Sequence, residues 1–237
     1  MKKTIHFVVC FLFANLAVFA QVKPDEAIQK LKDGNERFVS GKRSFENLSA
    51  ARMKEVVDKG QSPFVTLLSC ADSRVPVEHI FDAGIGDLFV IRVAGNVSDV
   101  DEIGTAEYGV GHLHTPLMVV LGHSDCGAVK AVCQNADVHG SIPKLVDNII
   151  APVKAAKAKY GDKMTTEMVN AAIENNVYQS MDDAISHSEE IAELIETGKL
   201  KLVGAIYDLN TGSVTWLGES PKQKECIKKA KANTKKH

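Results

Sequence analysis

The chain has 237 residues, of which 45% are hydrophobic and 24% are charged, so it is long enough to bury a substantial core and has the composition of one folded domain. Its 28 basic and 30 acidic side chains give a formal net charge of -2. This balance provides no basic surface field, which argues against nucleic acid as a partner and favours a small neutral or anionic substrate.

The first twenty residues have the pattern of a cleavable export signal. Two lysines precede an apolar run that ends at Ala20, and polar sequence begins at Gln21. A membrane anchor is the alternative, but the run is short for a spanning helix of about 20 apolar residues. We therefore predict a signal peptide over residues 1–20, a mature domain over residues 21–237 without a stable membrane anchor, and a periplasmic or secreted location.

Two amphipathic segments follow, over residues 24–39 and 48–59, and together they predict an N-terminal helical arm of about residues 24–60. Ile28, Leu31 and Phe38 recur at roughly helical spacing, so the arm needs an apolar surface to lie on. That surface belongs either to the same chain or to a partner subunit.

The rest of the chain alternates short apolar runs with amphipathic segments, a pattern typical of an α/β fold with a mainly parallel sheet flanked by helices. Four nearly continuous apolar runs indicate strands that are covered on both faces. A fifth run follows a tight turn at residues 210–212 and indicates an antiparallel edge strand, so the sheet is mixed and has four to five strands. The predicted strands cover residues 64–69, 88–93, 116–122, 202–207 and 213–217.

Further helices are predicted over residues 100–113, 142–159 and 165–197. Ser98, with Asp101 three residues later, resembles a capping box at the start of the first of them. The lysine-rich tail, residues 222–237, is expected to be frayed and solvated.

Metal-binding residue types follow two of the predicted parallel strands. Cys70 ends the first strand, and His123 and Cys126 follow the third. The carboxyl ends of adjacent parallel strands meet at one edge of a sheet, so these three side chains are expected to converge. Two thiolates and one imidazole make the ligand set of a catalytic zinc site, which keeps a fourth position for water or a carboxylate.

Disulfides are the alternative use of these cysteines, because an exported protein meets an oxidising compartment. Cys70 could pair with Cys126, and Cys133 with Cys226. Cys133 lies seven residues after Cys126 and is most simply a buried helix residue. A domain of this size does not need disulfides to fold, which favours the metal for Cys70 and Cys126.

Two stretches resemble the signature sequences of the β-class carbonic anhydrases: CADSRVP at residues 70–76 and GHSDCG at residues 122–127. The similarity extends from about Asp25 to Leu217. It implies one Zn²⁺ per chain and the reversible hydration of carbon dioxide to bicarbonate and a proton by a metal-bound hydroxide. The physical chemistry agrees, since zinc lowers the pKa of bound water to about 7; the carbonic anhydrase that supplies this magnitude has three histidine ligands.

The resemblance also assigns roles around the metal. Asp72 would accept a hydrogen bond from the hydroxide and Arg74 would fix that carboxylate, while Asp72 could also become a fourth ligand in a closed, inactive state. In the family, part of the pocket lining comes from a neighbouring subunit, which implies a homodimer or a dimer of dimers. The implied substrate-binding residues are Gln61, Gly127, Phe89 and Tyr108.

Three other functions keep part of this pattern. A related zinc hydrolase of carbonyl sulfide or carbon disulfide would use the same ligands, and an exported zinc-binding or thiol-redox protein would use them without catalysis. A storage site needs neither Asp72 nor Arg74, which favours the enzyme. A zinc deaminase is disfavoured because its H-x-E and P-C-x-x-C signature is missing.

Overall fold

The computed structural model describes residues 22–234, so the predicted signal peptide and the last three residues of the tail lie outside the described residues. Its centre is a five-stranded sheet in the order β2-β1-β3-β4-β5, in which the first four strands are parallel and β5 is antiparallel. The strands are β1 (Val65–Cys70), β2 (Leu88–Val93), β3 (Leu117–His123), β4 (Lys201–Tyr207) and β5 (Val214–Gly218). The predicted mixed sheet is confirmed, with strand bounds that differ by at most one residue.

Nine α-helices surround the sheet in the described part of the chain. They are α1 (Pro24–Val39), α2 (Ala50–Lys59), α3 (Val77–Ile80), α4 (Val100–Glu107), α5 (Gly127–Cys133), α6 (Ile142–Tyr160), α7 (Thr166–His187), α8 (Glu189–Glu196) and α9 (Gln223–Thr234). A short 3-10 turn follows β2 at Ala94–Asn96, and a π-helix continues α4 at Tyr108–His112. None of the helices in residues 22–234 is both long and apolar enough to cross a membrane.

The strands β1 and β3 are buried along their whole length, because helices cover both faces of the sheet. Alternate residues serve opposite faces: Leu68 packs with α7, α8 and α9, whereas Leu67 packs with α1 and α3. On the first face α7 lies very close to the sheet, since a Cβ at Gly122 or Gly204 would come within 2.6 or 2.8 Å of Val177. Glycines at these positions therefore set the distance between α7 and the sheet.

The first helix of the predicted arm packs on its own domain. Ala27 and Leu31 of α1 are buried against the sheet, and Asn35 is buried and hydrogen-bonds to the turn before β5. In contrast, α2 contributes no buried residue, and Met53 and Val57 on it are exposed. The question left open by the sequence is answered for α1, while α2 keeps an uncovered apolar face.

Two predicted helices have different boundaries in the structure. The capping box of α4 consists of Asp99 and Glu102, one residue later than the pair predicted from Ser98. The predicted helix over residues 165–197 breaks at Ser188, whose backbone is extended; its hydroxyl caps α8 and donates to Glu107 at 2.6 Å.

The expectation of a frayed, solvated tail is wrong for residues 223–234. This segment forms α9, which packs on α7 and α8 through a buried stripe that includes Cys226 and Ala230. The segment just before this tail is also anchored, because Ser220 donates to the buried Asp182 at 2.5 Å.

Candidate metal centre

The three predicted ligands meet at the carboxyl edge of the sheet. Cys70 is the last residue of β1, His123 is the last residue of β3, and Cys126 is the residue immediately before α5. The two Sγ atoms and a ring nitrogen of His123 all lie within 4.8 Å of one another, and all three residues are buried. The parallel pairing of β1 with β3 brings these strand ends side by side.

The ring of His123 is oriented for metal binding. Its Nδ1 lies 2.9 Å from the carbonyl oxygen of Ser124, which can only accept, so we assign the proton to Nδ1. Nε2 then carries a lone pair, and it is fully buried without a hydrogen-bond partner among the described residues. A buried nitrogen lone pair without a partner is unfavourable unless a cation completes it.

The two cysteine thiols interact directly. The neighbouring Cys126 side chain, with smaller contributions from His123 and the Gly95 N–H, lowers the pKa of Cys70 to about 4 against the opposing effect of burial. The same interaction, together with burial, raises the pKa of Cys126. Metal binding requires deprotonated thiols, so a cation bound by both sulfurs would displace their protons.

This donor set fits zinc. In a tetrahedral zinc site, Cys and His donor atoms lie about 3.5–3.8 Å apart, given Zn–S and Zn–N bonds of about 2.3 and 2.0 Å. The sulfurs and the Nε2 lone pair are close enough to reach this geometry with small side-chain adjustments. Three protein ligands leave one coordination position for water or another ligand, which is typical of catalytic rather than structural zinc.

A carboxylate held by a guanidinium stands beside the ligands. Arg74 donates from Nη2 to Asp72 Oδ2 at 2.7 Å, and from both Nε and its backbone N–H to Oδ1 at 3.0 and 2.9 Å. These bonds keep the pKa of the Asp72 carboxyl well below its usual range. Asp72 Oδ2 lies 3.8 Å from His123 Nε2, so the ionised carboxylate faces the position where a metal would be bound.

Further residues that sequence reasoning gave no role support this arrangement. Arg92 donates to the backbone carbonyls of Cys70 and Asp72, at 3.2 and 2.7 Å, and so fixes the turn after β1. Asp125 accepts from Arg74 at 3.5 Å and from Lys130 at 2.6 Å, which steadies the guanidinium. Each of these residues is polar and common in sequence, so only the fold reveals the contacts.

Three of the substrate-binding residues implied by the resemblance lie at the other edge of the sheet. Phe89 pairs with Thr66 of β1, four residues before Cys70, which is about 13 Å along a strand. Its ring is 5.8 Å from that of Tyr108, and Gln61 is exposed on the loop before β1. Gly127, in contrast, directly follows Cys126 and is exposed at the start of α5. Of these four residues, only Gly127 adjoins the ligands within one chain.

The cysteine alternatives are also resolved for the described residues. Cys70, Cys126, Cys133 and Cys226 are all free thiols. Cys133 is buried on α5 in the cluster beside the ligands, whereas Cys226 is buried on α9 beneath the sheet, so the predicted alternative pairing is not formed. Burial raises the pKa of both thiols.

Comparison with known proteins identifies relatives of the whole domain. The carbonic anhydrase family matches residues 65–214. "Carbonic anhydrase 2" of Mycobacterium tuberculosis is 36% identical over 189 residues, which cover 80% of this chain and 90% of that protein. The β-carbonic anhydrase CafA of Aspergillus fumigatus has the same fold, with a TM-score of 0.69 at 23% identity over 88% of this chain and 97% of that one. A tetrameric β-carbonic anhydrase of Sordaria macrospora gives a TM-score of 0.62 at 24% identity, covering 71% and 87% of the two chains. With its Cys-His-Cys cluster at the carboxyl edge of a matching sheet, this chain belongs to the β-carbonic anhydrase family.

Proposed function

We propose that this protein catalyses the reversible hydration of carbon dioxide to bicarbonate and a proton, with one Zn²⁺ held by Cys70, His123 and Cys126. The observation that carries the proposal is the Arg74-held Asp72 carboxylate beside a buried Cys2His cluster with room for a fourth ligand. Family membership supports the same reaction.

Each component has a physical role in this reaction. Zinc, when bound, acts as a Lewis acid that lowers the pKa of a coordinated water and so supplies a nucleophile near neutral pH. The Asp72 carboxylate, kept ionised by Arg74, would accept a hydrogen bond from the nucleophile and orient it towards the carbon of carbon dioxide. The backbone N–H of Gly127, at the exposed start of α5, is suited to donate a hydrogen bond that stabilises the negative charge developing on the substrate oxygen.

Asp72 is also a conditional fourth ligand in this proposal. Its Oδ2 is close to the ligand atoms, but three hydrogen bonds hold the carboxylate on Arg74 in the arrangement described here. A closed, inactive state would require Asp72 to exchange Arg74 for the metal. The strength of this bidentate pair therefore favours the open state.

We also propose that the active unit is a homodimer, alone or within a larger assembly. Gln61, Phe89 and Tyr108 are remote from Cys70 within one chain, so they can line the pocket of the metal centre only from a second subunit. The uncovered apolar residues of α2 and the preceding linker, among them Phe45, Met53 and Val57, provide a surface for that subunit.

The proposed location is the periplasm or the extracellular space, on the basis of the signal-like sequence of residues 1–20. In an oxidising compartment the two ligand thiols must bind zinc before they pair with each other.

Stopped-flow measurement of carbon dioxide hydration across a range of pH, on the purified chain with its zinc counted, tests the reaction. We expect one zinc per chain and hydration that increases at alkaline pH, where more of the nucleophile is present. Hydrolysis of carbonyl sulfide and carbon disulfide is assayed in parallel. No hydration with one zinc per chain would contradict the proposal, and turnover of the sulfur substrates alone would favour the related hydrolase.

A further inference from the structure

A buried side chain of α7 contacts the backbone that supports the ligand Cys70. Asn176 is 1% exposed, and its Nδ2 donates a hydrogen bond of 2.7 Å to the carbonyl oxygen of Gly95, 81 residues earlier. The N–H of Gly95 in turn donates to the Sγ atom of Cys70 at 3.2 Å. Asn176 is thus connected to a ligand sulfur through a single backbone residue.

Gly95 can make both bonds because of its unusual backbone. Its φ of 75° lies in the left-handed region, and a Cβ there would come within 2.7 Å of Ile149 Cδ1 and 3.2 Å of Ala128 Cβ. The residue is buried where the turn after β2 passes between α5 and α6. Since Gly95 has no side chain, the hydrogen bonds at its N–H and C=O contribute directly to the orientation of its backbone.

The orientation of the Asn176 amide is set by chemistry. A backbone carbonyl oxygen only accepts hydrogen bonds, so the atom that faces Gly95 must be Nδ2. The other amide atom, Oδ1, is buried and has no hydrogen-bond partner within residues 22–234. Among the described residues, the Asn176 side chain therefore makes its hydrogen bond to Gly95 alone.

We propose that Asn176 is a positioning residue for the metal centre: it holds Gly95 so that its N–H donates to the Cys70 thiolate. A hydrogen bond to a ligand sulfur withdraws charge from it, so the bound metal stays more electrophilic than two unmodified thiolates would leave it. This inference rests on the proposed zinc site, but it concerns the electronic state of the metal and not only turnover.

The test uses two variants and a matched control. Asn176→Ala removes the donor, and Asn176→Leu removes it while retaining most of the side-chain volume, so that a folded variant is available even if the alanine leaves too large a cavity. The control is Ser180→Ala, one turn later on α7: Ser180 is buried, but its Oγ donates to the carbonyl oxygen of Asn176 within the helix and not to Gly95. Thermal unfolding confirms that each protein is folded.

The readouts are the thiolate-to-metal charge-transfer band of the cobalt(II)-substituted protein and the zinc affinity measured with a competing chelator. Loss of the hydrogen bond makes the Cys70 sulfur a stronger donor, so the band should move to lower energy in both Asn176 variants. Zinc affinity should change by about 10–100-fold, as it does for other outer-shell partners. Ser180→Ala should match the wild type in both measurements.

A band and an affinity identical to those of the wild type in both folded Asn176 variants would overturn the inference. So would an equal change in Ser180→Ala, because the effect would then be general to α7. Carbon dioxide hydration by the wild type is measured separately. Its absence alongside a shifted band would contradict the proposed function and leave the role of Asn176 standing.

Discussion

The Asp72–Arg74 pair carries the catalytic interpretation at the scale of single residues. Two hydrogen bonds join the two side chains and a third comes from the backbone N–H of Arg74; the Asp72 side chain is 17% exposed and that of Arg74 is 50% exposed. The carboxylate is therefore held from one side and free to face the metal position on the other. In the proposed reaction its role differs from that of the ligands, because it would act on what the metal binds.

Replacing Asp72 by Asn should show whether Asp72 acts as a hydrogen-bond acceptor beside the metal or as a metal ligand. The amide has nearly the same shape, but it loses the negative charge that accepts the hydrogen bond and pairs with Arg74. We expect kcat for carbon dioxide hydration to fall by about 100-fold or more, as when an aligned polar group is removed from other active sites. Zinc content, measured by elemental analysis, should stay at one per chain, and loss of zinc would show that Asp72 is instead a structural ligand.

Asp125→Asn is the matched control, since Asp125 also accepts a hydrogen bond from Arg74 but is 56% exposed and faces Lys130. An exposed ion pair contributes about 0–1 kcal/mol, so kcat should fall by about fivefold at most. An effect as large as that of Asp72→Asn would mean that the position of Arg74, and not the charge of Asp72, limits the reaction.

The ligand residues could be found in the sequence because each follows a short apolar strand and has a chemically distinctive side chain. Asp72 and Arg74 are two and four residues from a ligand, so they too are local. Arg92, Gly95 and Asn176 could not be found in the same way, because each makes its contact through a backbone atom with a residue distant in sequence. Contacts of that kind exist only after the strands and helices are assembled.

At the scale of elements, one buried carboxylate fixes the linker between α1 and α2. The side chain of Asp82, after α3, is 1% exposed and accepts from Arg37 Nε at 2.7 Å and from Ser44 N and Oγ at 2.8 Å. Burial raises the pKa of Asp82, but the hydrogen bonds from Arg37, Ser44 and Phe45 outweigh it and leave the pKa below its usual value near 3.8.

Asp82→Asn should therefore destabilise the protein. The amide can accept fewer of these bonds and has no charge, so the free energy of unfolding in urea should fall by about 1–3 kcal/mol at pH 7. Asp25→Asn is the control: it removes a carboxylate paired with Lys201 at 2.8 Å that is 85% exposed, and it should leave stability nearly unchanged.

The stability difference between the wild type and Asp82→Asn should depend on pH with a known sign. A carboxyl whose pKa is lower in the folded state stabilises the fold above the unfolded pKa, and this contribution is lost as pH falls through the folded value. The stability difference between wild type and Asp82→Asn should thus be constant above about pH 5 and shrink below pH 4. A difference that persists unchanged at pH 3 would show that the ionised form of Asp82 is not the stabilising species.

Elements with a strong local pattern were predictable, and those set by distant contacts were not. Residues 24–39 and the five strands carry continuous apolar or helical periodicity, and their bounds agree with the structure. Ser188 is a weak helix breaker by itself, and the break there depends on Glu107, which is 81 residues away. Likewise α9 buries small residues among lysines, so its helical face is recognisable only against α7 and α8.

At the scale of the whole molecule, the proposed catalytic residues and the proposed lining residues lie at opposite ends of the parallel strands. Cys70 is the last residue of β1 and Asp72 follows it, whereas Gln61 precedes the amino end of β1 and Phe89 lies near the amino end of β2. A side chain cannot cover the length of a six-residue strand, about 20 Å. In the proposed dimer, the metal centre of one subunit therefore receives Gln61 from the other.

Subunit mixing tests this arrangement. Asp72→Asn and Gln61→Ala proteins are each expected to hydrate carbon dioxide poorly as homodimers. When they are unfolded together, refolded and separated by different affinity tags, the mixed dimer contains one site with Asp72 from the second chain and Gln61 from the first. That site is of wild-type composition, so kcat per dimer should recover to about half the wild-type value, the share expected of one independent site in two.

If both residues acted within one chain, no site in the mixed dimer would be intact, and its activity would stay at the average of the two parent variants. That outcome would place Gln61 outside the partner's pocket and remove the main argument for a dimer as the smallest active unit.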